Sequence, residues 1–85
     1  MTPTEIRGAI FNALRRVAPE TDPASIDENA SIREALDIDS MDFLNVVIAL
    51  HEALHVDIPE ADYAKIATMK GAVAYLSAKL DAPRV

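Results

Sequence analysis

From Phe43 to Leu54 only Asn45, His51 and Glu52 carry polar side chains, and this apolar run is what most limits how the chain can fold. Phe43, Val46, Val47, Leu50 and Leu54 fall at i, i+3, i+4, i+7 and i+11, the spacing of a core-facing helical stripe. Met41, Leu44 and Ile48 form a second stripe turned away from the first. A helix apolar over so much of its circumference is either central to a bundle or presents part of itself to a partner. With 85 residues, complete enclosure is hard to achieve, so Met41 and Ile48 are expected to face a partner. The spacing predicts this helix over 40–54. Asp39 is its N-cap candidate, with a carboxylate able to accept from the free amide of Asp42. Ser40 then takes the first helical position, beside unpaired N–H groups and the positive end of the helix dipole, where a phosphate ester would be favoured.

The other elements follow from similar cues. Thr2-Pro3-Thr4-Glu5 matches a capping box with proline at the first helical position. Ile6, Ile10, Ala13, Leu14 and Val17 continue at helical spacing until Pro19 stops them, giving a first helix over about 3–17. Residues 18–37 form a long connection, punctuated by Pro19 and Pro23, in which Ser31-x-x-Glu34 can cap one turn and send Ile32 and Leu36 to the core. It is expected to cross the end of the bundle so that the central helix enters from the other side. Pro59 breaks the chain after Ile58, Glu60–Lys65 is long enough only for a short helix, and Thr68 caps the last one. Met69, Ala72, Val73, Leu76 and Leu80 mark its buried stripe, Pro83 lies beyond its end, and Gly71 inside it costs about 1 kcal/mol against alanine. The expected fold is all-α: a small four-helix bundle with three principal helices, a short third helix and a long first loop, in one domain over 1–85.

Charge is distributed unevenly. Residues 20–62 contain twelve acids and one lysine or arginine, Arg33, whereas the other lysines and arginines lie towards the ends. Such a field repels nucleic acid and anionic lipid and steers basic protein surfaces to the middle of the chain. No apolar run reaches membrane-spanning length, residues 1–5 lack a signal-peptide layout, and the chain has no cysteine. A cytoplasmic monomer without membrane insertion is expected.

Catalysis finds little support. A nucleophilic Ser40 would need an adjacent base, yet His51 is eleven residues on, about 16 Å along the same helix. His51 and His55 have the spacing of two metal ligands, but only Glu52 and Asp57 are obvious further donors, and a surface pair is expected rather than a metal site. Asp37-x-Asp39 begins like a calcium loop, then fails at Met41 and Asp42. No glycine-rich phosphate loop exists, since the glycines are Gly8 and Gly71 alone. The chain is not expected to be an enzyme.

Taken together, the features resemble the acyl carrier proteins. The likeness is closest from Leu36 to Leu76 and rests on Asp39-Ser40-Met41-Asp42, the Ile58-Pro59 turn, Lys65-Ile66 and the Ala72-Val73-Ala74-Tyr75-Leu76 run, in family order and spacing. It implies that Ser40 carries covalent 4′-phosphopantetheine, transferred from coenzyme A by a phosphopantetheinyl transferase. Acyl groups are then held as thioesters on the arm's thiol, for enzymes of a fatty-acid or a related specialised acyl or polyketide pathway. It also implies that Asp39, Met41, Asp42, Ile48 and Glu52 meet basic and apolar patches on acyl-handling enzymes. Phe43, Val47, Leu50, Tyr63 and Ile66 become the expected lining of an acyl pocket. Two features depart from the family: Asp37 stands where glycine is more usual, and Met41 where leucine is. Asn45 and His51 also leave the central helix less negative, which weakens ionic attraction to standard partners and leaves room for a dedicated carrier. The alternative is an unmodified acidic adaptor that docks the same helix on basic partners.

Overall fold

The computed structural model describes residues 2–20 and 22–81; Pro83, read above as lying beyond the last helix, and the Arg84 charge lie outside the described residues. Helix α1 (Pro3–Val17) starts at the expected capping box, Thr2 and Glu5 each bonding the other's backbone N–H. A single 3₁₀ turn (Pro23–Ser25) and a five-residue helix α2 (Ile32–Leu36) interrupt the long connection. Then come α3 (Ser40–Leu54), a 3₁₀ segment (Glu60–Ile66) and α4 (Met69–Asp81). No strand forms among the described residues, and the architecture is the expected all-α bundle. The short third helix is 3₁₀ rather than α.

α1 packs against both α3 and α4, and the 3₁₀ segment packs on α4. The core gathers Ile6, Ile10 and Leu14 from α1, Val46, Leu50 and Leu54 from α3, and Ile66, Met69 and Leu76 from the last two elements. Ile32 reaches it from α2, as the capped turn predicted.

The long connection is fastened at several points. Arg7 pairs with Glu28. The Lys70 N–H donates to the Glu28 carbonyl at 3.1 Å, and the Ile32 N–H donates to the Ala67 carbonyl at 2.9 Å. Ser31 and Thr68 form an isolated antiparallel bridge. These bonds seam the segment before α2 to the start of α4.

Gly71 has a structural reason to be there. A Cβ on it would stand 2.5 Å from the Lys65 carbonyl oxygen, so the cost counted from helix propensity is offset by a close backbone approach. Asp37 also has one, because it adopts the left-handed region (φ 53°, ψ 46°) that glycine enters most easily. Its N–H donates to the Glu34 carbonyl and that of Ile38 to the Arg33 carbonyl, a Schellman-type ending to α2.

Candidate functional site

Ser40 opens α3 with its side chain exposed. Asp39, in extended geometry, accepts from the Asp42 N–H through its carboxylate at 2.9 Å, as a helix cap does. The serine oxygen accepts a hydrogen bond from the Arg33 side chain, Nη2 to Oγ, at 2.9 Å. The turn at Asp37 folds α2 back far enough for that contact across seven residues.

Beside the serine lies a cleft of about 520 Å³, lined by Arg33, Ser40, Met41, Phe43, Leu44, Glu60, Tyr63, Ala64 and Ala67. Phe43 and Tyr63 meet edge to face in its wall, ring centres 6.1 Å apart. On the far side of Tyr63 a second cleft of about 470 Å³ includes Val47, Leu44 and Ile48. Phe43, Val47 and Tyr63 thus stand on cleft walls. Leu50 and Ile66 do not: both are buried in the core at 2% exposure, behind those walls. Glu60, Ala64 and Ala67 were not singled out by sequence, because 3₁₀ geometry decides which residues of 60–67 turn towards α3; Leu44 was placed on the outer stripe but not at the cleft.

Of the residues expected to meet partners, Met41 is 67% exposed and Ile48 46%, with Leu44 between them at 37%. Asp39 and Glu52 are exposed and Asp42 is half-buried. Glu52 lies 4.0 Å from Arg16 of α1, a solvent-screened approach that contributes little to stability. The two histidines are occupied locally. Nδ1 of His51 donates to the Val56 carbonyl at 2.7 Å, and His55 ends α3 in the left-handed region. No cluster of three or more histidine, aspartate or glutamate side chains suited to a metal ion forms among the described residues.

The wall opposite α3 is clamped to α4. The Tyr75 hydroxyl donates to Asp62 Oδ2 at 2.6 Å, and Lys65 approaches the same carboxylate at 3.4 Å. Burial, followed by the bond to Asp62, pushes the Tyr75 phenol up to about 12. The same bond is the main reason that Asp62 is held below the usual carboxylate range.

A family profile described as a phosphopantetheine attachment site matches residues 9–76. The chain belongs to the acyl carrier protein family. Among its relatives, the acyl carrier protein of Wolinella succinogenes is 34% identical over 71 residues, covering 80% of this chain and 93% of that one. The acyl carrier protein of Zymomonas mobilis is 40% identical over 55 residues, 65% of this chain and 70% of its own length. A mitochondrial acyl carrier protein of Neurospora crassa is 32% identical over 78 residues, 92% of this chain and 58% of its own. As a member of this family the chain is a carrier rather than an enzyme, and its cofactor is covalent phosphopantetheine. Among the described residues no helix is long and apolar enough to cross a membrane.

Proposed function

We propose that Ser40 bears the phosphopantetheine arm and that the chain presents acyl thioesters to enzymes of a fatty-acid or a related specialised acyl or polyketide pathway. What chiefly supports the site is the state of its hydroxyl. Within the matched region, Ser31 and Thr68 serve as helix caps, Ser25 donates to the Asp22 carbonyl and Tyr75 to Asp62. Ser40 is exposed, accepts from Arg33, and has no acceptor for its own proton among the described residues. Exposed at a helix start beside a guanidinium, it is placed to attack the pyrophosphate of coenzyme A on a visiting transferase. A base there takes its proton, the pyrophosphate P–O bond breaks, and adenosine 3′,5′-bisphosphate leaves as the phosphodiester forms.

The residues present fit such a group: an exposed hydroxyl at a helix start, a guanidinium bonded to it, and an apolar-walled cleft alongside. The arm supplies a thiol to a chain that has no cysteine. Asp39, Asp42 and Glu52 offer charge to basic partner surfaces, while Met41, Leu44 and Ile48 offer area that water covers poorly. Phe43 and Tyr63 shelter the near end of an apolar cargo.

Incubation with coenzyme A and a promiscuous phosphopantetheinyl transferase tests the site by intact mass. Wild-type protein is expected to gain one phosphopantetheine and Ser40→Ala none. Labelling that survives the substitution would refute it. An unmodified protein that supports its partners' reactions as well as the modified form would favour the adaptor reading.

A further inference from the structure

Arg33 is the only lysine or arginine among twelve acids between residues 20 and 62. A cation in such company ordinarily finds a carboxylate. The ion pairs that lysine and arginine form among the described residues use Arg7, Arg16 and Lys65 instead. Glu34 and Asp37 border the same depression as Arg33, yet its side chain donates to the neutral oxygen of Ser40. The placement is imposed by backbone. The left-handed Asp37 ends α2, and the bond from Ile32 to Ala67 fixes where α2 begins.

We propose that Arg33 is a counter-ion for the phosphate that Ser40 accepts, and that it fastens the root of the arm at the mouth of the cleft. This rests on Ser40 being the modified residue. A hydroxyl is a weak acceptor for a guanidinium. A phosphodiester built on the same oxygen adds a full negative charge, so a bond with one ionised partner becomes one with two. Arginine is suited to this, being permanently charged and forked. The need is local. The phosphate joins a surface that already holds Asp37, Asp39, Asp42 and, on the cleft wall, Glu60. Without Arg33, the N-terminal N–H groups of α3 would be left alone to offset those carboxylates. Arg33 is thus a positioning residue for the arm, and the bond in the unmodified chain shows the guanidinium already at its station.

The test uses unmodified and modified forms of wild type, Arg33→Gln and Arg33→Glu, all exposed side chains, with excess transferase driving conversion. Intact mass first reports whether wild type takes the arm at all, so failure of the Ser40 reading is seen separately. Two readouts then address Arg33: the change in Tm on modification, and the ³¹P resonance of the phosphodiester. Modification is expected to be more favourable to Tm in wild type than in Arg33→Gln by about 2–4 °C, with Arg33→Glu further in the same direction. The difference shrinks in high salt, and the ³¹P resonance moves between wild type and Arg33→Gln. Equal changes on modification in all three proteins, with an unmoved ³¹P resonance, would overturn the proposal. So would a loss of Tm in Arg33→Gln that is the same in both forms, since that marks a role in folding alone.

Discussion

The two apolar stripes of α3 are built from similar residues and meet opposite fates. Leu50 on the inner stripe is 2% exposed, whereas Ile48, two positions earlier, is 46% exposed and Met41 67%. Both stripes belong to one helix, so propensity and capping act on them equally. What separates them is that α1 covers one, while among the described residues no element packs fully over the other. Burial of the inner stripe supplies folding energy; exposure of the outer one leaves its area to be removed from water by something else.

Leu50→Ala should break the inner face hardest, lowering stability by about 2–5 kcal/mol in denaturant titration through a cavity beside α1. The protein that remains folded should still turn over with partner enzymes at the wild-type rate. Ile48→Glu should do the reverse. Its stability stays within about 0.5 kcal/mol of wild type, while kcat/KM with a partner acyl-transferring enzyme falls by about 5–30-fold, the cost of removing a docking anchor. Unchanged rates with every partner enzyme would mean that the outer stripe has no docking role.

The smallest effect concerns the wall beside the outer stripe, held by Tyr75 and Asp62. The Tyr75 phenol in the folded chain titrates near 12 rather than 10, so its contribution is complete below pH 10 and disappears as pH rises through about 12. Asp62 behaves oppositely. Its depressed value makes its contribution complete above the ordinary 3.8 and lost as pH falls below that. An alkaline NMR titration should therefore show Phe43 ring resonances shifting together with Tyr75, while the methyl groups of Leu50 and Ile10 hold. Tyr75→Phe should remove the alkaline step. A Tyr75 that titrates at 10 would detach the clamp from the comparison.

Much of this was legible in the order of residues. Thr2 with Glu5, Ser31 with Glu34, and Asp39 before Ser40 announce three helix starts, because a cap needs only a short oxygen at the right offset. The outward stripe was legible from period alone. The bond from Arg33 to Ser40 was not, since it depends on a left-handed turn and on a seam to residues more than thirty positions away. The one arginine in a long acidic stretch without lysine was the signal that pointed to it. Nor could propensity explain Gly71, where the reason is a carbonyl from the preceding turn. The depth of Leu50 and Ile66 was hidden for a similar reason: spacing gives a face, and only packing says which members of it lie behind a wall.

The backbone seam joining residues 28–32 to 67–70 ties the start of α2 to the start of α4. Arg33, on α2, and Ser40, on α3, therefore border one cleft from two separate elements, and the bond between them depends on that fastening.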